Sequence, residues 1–321
     1  MTGRFWITPV ALLLVILITG PGFSADKLRF ASVIKTKPLY VLPIIAAQDK
    51  GFFKDQGLEV QYLGFTSGRA FSGAMAAGAL DMAFVGTVSI SLAAARGGPE
   101  RAVADTGAVE DWFLWVPTNS RLKKPMDLKG SKIAVSRLGS LTHALAGGVT
   151  KSLGIEKDVQ IVAAGGVPSA IASLKSGASD VNVQTYSAMA PLEVKGEVRQ
   201  LLTVGDYVPK AVFTMLLAAH EKFLRENPAV VKRGIMAYMQ GAKFTMENRS
   251  WAVKKMATDT DFSLTEKVAE SAYSELRYAQ AVKKVPKDYV RTVLKWLVEN
   301  SLLRANEVPP LEKIAPADYS E

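Results

Sequence analysis

From residue 28 onward the chain repeats one hydrophobic pattern: a short apolar run, a stretch with apolar residues at helical spacing, then a glycine. Residues 28–34 read as a strand, and Leu42, Ile45 and Ala46 then recur at the helical interval before Gly51 supplies a left-handed stop. Residues 58–65 alternate Leu58, Val60 and Tyr62 with Glu59 and Gln61, the period of a strand with one buried face. Ala70, Phe71, Ala74 and Met75 share one face of a helix over about 68–77 that closes at Gly78. Residues 80–85 form a third strand, and Thr87 is expected to cap a helix over 88–96 that stops at Gly97-Gly98.

A second, similar series begins near residue 131. It predicts strands at 132–136, 159–163 and 181–184, with helices at 141–153 ending at Gly154 and at 168–175 ending at Gly177. The two series superpose at a constant offset of 99 residues: Gly78-Ala79-Leu80-Asp81-Met82-Ala83-Phe84 falls on Gly177-Ala178-Ser179-Asp180-Val181-Asn182-Val183, and Met75 falls on Leu174. One supersecondary unit is therefore read as used twice.

Short strands alternating with crossover helices predict an α/β chain of two lobes, each a mostly parallel sheet flanked by helices. The apolar runs at 112–119 and 211–219 read as the two crossover strands joining them, which places lobe one at 26–117 plus 213–321 and lobe two at 118–212. The end of the chain reads as purely helical. Asn227 precedes Pro228 at a helix start, Ser263 and Glu266 form a capping box for a helix through about Arg277, and Pro286 opens a last helix through Trp296.

Residues 1–25 break the pattern. A basic start through Arg4 leads into an almost wholly apolar 5–18, then Gly20-Pro21-Gly22 and the small residues Ser24 and Ala25. This is the layout of a secretory signal peptide cleaved near Ser24/Ala25, and it predicts export to the periplasm. Retention as an anchor is the alternative, although the run falls short of the ~20 residues that span a bilayer.

Composition narrows the chemistry. With no cysteine there is no disulfide framework, thiolate metal site or thiol nucleophile, and two histidines, His143 and His220, are too few for a multi-histidine centre. The formal charge of +9 falls by one with Arg4, and its lysines and arginines are dispersed, so a basic soluble surface is read rather than a nucleic-acid interface. No cofactor or metal is implied. The S-x-x-K tetrads that begin at Ser32 and Ser120 are not at helix starts, and no G-x-S-x-G elbow, H-E-x-x-H, G-x-G-x-x-G or P-loop occurs. An enzyme is thus not expected, and a secreted enzyme is kept as a lesser alternative.

Ligands of open parallel sheets bind beyond the carboxyl ends of the strands. Those loops hold Lys35, Thr36, Pro38, Leu39 and Tyr40, then Thr66, Ser67 and Gly68, then Gly86 and Thr87 in lobe one. In lobe two they hold Gly139, Ser140, Leu141 and Thr142, then Gly166 and Val167, then Gln184 and Tyr186. Each is rich in small or hydroxylated residues and feeds a helix N-terminus, where bare N–H groups and the positive helix end suit an anion. Any single Ser or Thr there is by default a structural cap; the set, aimed at one gap, predicts a ligand site. Lys37, Arg69 and Arg137 are secondary candidates, and Asp206 would suit a ligand ammonium.

Several segments carry a family resemblance. Gly64-Phe65-Thr66-Ser67-Gly68 with Ala76-Ala77-Gly78-Ala79-Leu80-Asp81-Met82-Ala83-Phe84-Val85-Gly86 resembles the signature region of the solute-binding proteins of nitrate/sulfonate/taurine-type ABC importers, a superfamily that includes the thiamine-pyrimidine binders. Ala47 through Val60, Asp127 through Val135 and Phe223 through Lys232 resemble further segments in the same order. The resemblance implies a two-lobed trap closing by hinge motion on a small, anionic solute, acting as a monomer and handing the solute to a membrane permease. A sensory module with the same trap is the alternative. The cysteine-rich motif of the pyrimidine-synthesising relatives is absent.

Overall fold

The computed structural model describes residues 25–321 except 33–38, 66–67, 110–111, 139, 260–261, 263 and 275, and omits the side chains of 68, 69, 109, 167 and 187. The expected signal peptide therefore lies outside the described residues, as does Ser263 of the expected capping box. Among the described residues no helix is long and apolar enough to cross a membrane.

The first series forms β1 (Asp26–Ser32), α1 (Leu42–Asp49), α2 (Phe52–Asp55), β2 (Leu58–Gly64), α3 (Gly68–Ala76), β3 (Met82–Gly86), α4 (Thr87–Ala95) and β4 (Glu100–Val109). The second forms β5 (Trp112–Pro117), β6 (Lys132–Val135), α5 (Leu141–Ser152), β7 (Gln160–Ala163), α6 (Val167–Ser176), β8 (Val181–Thr185), α7 (Tyr186–Val194) and β9 (Val198–Thr203). Then follow β10 (Thr214–His220), α8 (Glu221–Glu226), α9 (Pro228–Glu247), α10 (Arg249–Thr258), α11 (Glu266–Ser274) and α12 (Lys287–Glu299). Two five-stranded sheets result, ordered β2-β1-β3-β10-β4 and β7-β6-β8-β5-β9. In each, three parallel strands are followed by one antiparallel strand, β10 or β5, and an edge strand.

The internal repeat is structural. β3 and β8 begin and end 99 residues apart, as do α4 and α7, and α1 and α5 start at Leu42 and Leu141. The shared aspartate makes the same bond in both halves. Asp81 Oδ2 accepts the backbone N–H of Arg29 at 2.7 Å, and Asp180 Oδ2 accepts that of Lys132 at 2.9 Å. Each thereby locks the start of its sheet's third parallel strand to the first. Gly78 and Gly177, at φ 67° and 75°, end the preceding helices in the left-handed region that glycine enters without penalty.

The connections decide how the sheets face each other. β4 runs parallel to β3, so it ends at Val109 on the edge where the parallel strands have their carboxyl ends, and Val109 pairs with Thr214 at the start of β10. β5 opens at Trp112 opposite Thr185, the carboxyl end of β8. Val109 and Trp112 are three residues apart, a reach of at most roughly 11 Å, so the carboxyl edges of both sheets flank one gap. The return from β9 to β10 crosses at the same edges. Trp112–Pro117 is hydrogen-bonded into the second sheet on both sides, so the chain changes sheets before Trp112 and not after Pro117, where the sequence placed the end of lobe one. The physical reason is burial: Phe113 through Val116 are too apolar for an exposed crossing and become the inner strand of the second sheet.

α9 packs against α1 on the first sheet, with Leu28, Phe30, Phe84 and Tyr238 at the centre of that core. α12 lies against α4 and also reaches the second unit, where Gly148 of α5 allows close approach: a Cβ there would stand 2.9 Å from Val208 and 3.7 Å from Trp296. One apolar cluster accordingly runs from Val85 and Val88 through Val290 and Trp296 to Ile133 and Val149.

Candidate functional site

Six of the expected site residues, Lys35, Thr36, Pro38, Thr66, Ser67 and Gly139, lie outside the described residues. Of the others, Gly68 opens α3 and Gly86 precedes α4, both at the gap. Tyr40 sits in the first unit's core, 6 % exposed, its ring 5.5 Å from Phe84, and the Leu39 carbonyl accepts the Tyr278 hydroxyl at 2.5 Å. Thr87 does not cap α4 with its side chain as expected. It is the first helical residue, and its hydroxyl donates to the Thr214 carbonyl at 2.8 Å, tying α4 to the returning strand.

The second unit presents a cluster of hydroxyls at the start of α5. Ser140 caps the helix by accepting the His143 N–H at 3.4 Å and donates to the Arg137 carbonyl at 2.6 Å. The Ser136, Ser140 and Thr142 hydroxyls stand 3.0–3.1 Å from one another. Leu141 is half-buried beside them, and Gly165 and Gly166, at φ 90° and 150°, turn the chain into α6, where Val167 is the first residue.

Along β8 the polar groups go deeper, from Asn182 near its start to Gln184 near its carboxyl end. Asn182 and Gln184 are 0 % and 2 % exposed; both amide atoms of Asn182 and the Gln184 Nε2 have no hydrogen-bond partner. Their cross-strand partners are Trp115 and Phe113, and such pairs share a face. The Tyr186 ring completes that face, 6.4 Å from Phe113 and 6.3 Å from Trp115, while the Trp115 indole donates to the Gln184 carbonyl at 3.0 Å. The matching positions in the first sheet are Ala83 and Val85, so the amides are peculiar to the second unit. Buried amides normally find partners; these form a polar column among aromatic rings next to the gap.

Tyr186 also spans the gap. Its hydroxyl lies 2.5 Å from that of Ser271 in α11 of the first unit. On its own side it hydrogen-bonds Glu193, whose carboxyl burial holds above the usual range against the hydrogen bonds from Tyr186 and Gln200. Ser271 carried no local signal in the sequence, since it arrives from a helix 85 residues further on. Asn182 carries a signal in the sequence, a polar side chain between two valines of a strand. Among the described residues no group of His, Cys, Asp and Glu side chains could hold a metal ion.

A family model described as NMT1/THI5 like matches residues 39–252. A Brucella abortus protein named as a binding protein is 28 % identical over 211 residues, which are 64 % of this chain and 64 % of that protein's length. The chain thus spans somewhat under two thirds of that relative. The 4-amino-5-hydroxymethyl-2-methylpyrimidine phosphate synthase THI13 of Saccharomyces cerevisiae is 25 % identical over 257 residues, 71 % of this chain and 70 % of the yeast protein. In structure, the periplasmic aliphatic sulphonate binding protein SsuA of Escherichia coli superposes with a TM-score of 0.75 at 19 % identity, covering 90 % of this chain and 91 % of that one. The periplasmic nitrate-binding protein NrtA of Synechocystis superposes at 0.74 and 15 % identity, covering 92 % and 87 %. The fold is that of two-lobed periplasmic binding proteins.

Proposed function

The chain belongs to the NMT1/THI5-like family, and on that premise we propose that it is the exported solute-binding component of an ABC-type importer, capturing a small anionic solute between its lobes. The observation that carries this reading is the meeting of two carboxyl sheet edges at one gap, with helices from both sides starting there and Tyr186 bonded across it to Ser271. Helix N-termini and hydroxyls favour a carboxylate, sulfonate, nitrate-like ion or thiamine-precursor-like anion. The half-buried Tyr186 ring at the start of α7 offers an apolar face to an organic part. Free protein samples open forms, and the solute stabilises closure by touching both lobes. The partner is a membrane permease.

Calorimetry against alkyl and aryl sulfonates, carboxylates, nitrate and thiamine precursors tests this. Capture of one of these anions near micromolar affinity, about −8 kcal/mol, is expected; uptake of cations alone would overturn the charge assignment. The yeast relatives' name favours a second reading, a synthase. Turnover of a pyrimidine precursor by the purified chain would establish it.

A further inference from the structure

On the first sheet's other flank, α3 and α4 border an open cavity of about 410 Å³. Phe71 and Leu92 give it apolar walls, Ser72 and Ser89 bring hydroxyls, Arg96 stands on its lining, and Glu100 closes it at the start of β4. Glu100 is 3 % exposed, and its Oε2 is buried with no hydrogen-bond partner. Of the two nearby cations, Arg96 borders the cavity itself and Arg101 is engaged elsewhere. Arg101 donates to the Gly98 and Glu100 carbonyls at 2.8 Å and to Glu221 at 2.5 Å, away from the Glu100 carboxylate. The carboxylate is also fitted to its place: a Cβ on Gly98 would stand 2.5 Å from Oε2. The last turn of α4 ends beside it, with the Ala93 carbonyl capped by the N–H groups of Arg96 and Gly98. A helix carboxyl end carries partial negative charge, which adds to that of the carboxylate.

A buried carboxylate oxygen without a partner is costly to keep. What would relieve it here is a cation small enough for the cavity and greasy enough for its walls. We propose that this cavity is a second binding site, for a primary ammonium bearing a short alkyl or aryl group. The ammonium donates to Glu100 and to the Ser72 and Ser89 hydroxyls, and its apolar part lies on Phe71 and Leu92. The site is separate from the gap between the lobes and does not depend on what binds there.

Calorimetry and chemical-shift titration with n-butylammonium chloride, against sodium chloride at equal ionic strength, test it on the full-length chain without its leader. Saturable one-to-one binding is expected, weakened at least tenfold by Glu100→Gln and by Leu92→Trp, which fills the cavity and keeps the carboxylate. Glu100→Gln is also expected to melt at or above the wild-type temperature without amine, because it removes a buried carboxylate oxygen that has no partner. No saturable binding by the wild type, or undiminished binding by both variants, overturns the proposal. If Glu100→Gln does not fold, Leu92→Trp alone decides: loss of binding supports the site and unchanged binding overturns it.

Discussion

The hydroxyls of Tyr186 and Ser271 lie 2.5 Å apart, the first opening α7 in one lobe and the second on α11 of the other. A single hydrogen bond is worth about 1 kcal/mol net, so it biases closure without enforcing it. Tyr186→Phe keeps the ring against Phe113 and Trp115 and removes only this bond and that to Glu193. We expect solute affinity to fall about fivefold with stability nearly unchanged, measured by calorimetry and urea unfolding; unchanged affinity would show that the contact does not act in closure.

The duplicated aspartates should differ in weight. Asp81, 3 % exposed, accepts the Arg29 backbone N–H and also the Arg29 guanidinium, at 2.6 and 3.0 Å, whereas half-buried Asp180 accepts the Lys132 backbone N–H. Asp81→Ala leaves the Arg29 backbone N–H and its part-exposed guanidinium without this acceptor and is expected to cost about 2 kcal/mol, against about 1 kcal/mol for Asp180→Ala. Urea denaturation measures both, and equal losses would contradict the comparison.

The buried amides present a trade of stability for function. Asn182→Ala with Gln184→Val installs the residue types of the first sheet, Ala83 and Val85, and removes three unpartnered polar atoms. The double variant is expected to gain about 1–3 kcal/mol of stability while losing at least tenfold in solute affinity. A gain in stability with full binding would make the amides a packing accident.

Acid stability offers a further check through Asp105. Burial raises its carboxyl pKa, while the Gly107 N–H and the Lys283 charge act to lower it. The folded state therefore holds this proton more tightly than the unfolded chain. Its contribution is fully present below the ordinary carboxylate range and is lost as pH rises through the raised folded value. Asp105→Asn keeps an acceptor for Gly107 and should be more stable than wild type at pH 7, by a margin that shrinks toward pH 4. A margin that grows on acidification would reverse the assignment.

The parallel strands and their helices are legible because their two periodicities alternate cleanly and glycines mark the ends; the strand expected at 181–184 falls one residue short of β8, and β3 and β8 keep the 99-residue offset. β4 was passed over. Glu100, Arg101 and Asp105 interrupt its apolar positions, and only the fold reveals that Arg101 turns to Glu221 and Asp105 to the Gly107 N–H. α7 was also missed, since it carries Pro191 and shows almost no amphipathic contrast. The candidate loops could be located from the order of strands and helices, but which hydroxyls are already engaged could not. Thr87 bonds to Thr214, 127 residues away, a contact with no local trace.

The central claim is closure of two lobes on a solute. The chain has no cysteine, so one introduced at Leu138, 63 % exposed, and one at exposed Lys267 carry a unique pair of spin labels. Pulsed-resonance distances between them should be broad and long in the free protein and collapse to one short, narrow population with bound solute. A distribution that does not change on saturation would contradict a closing trap.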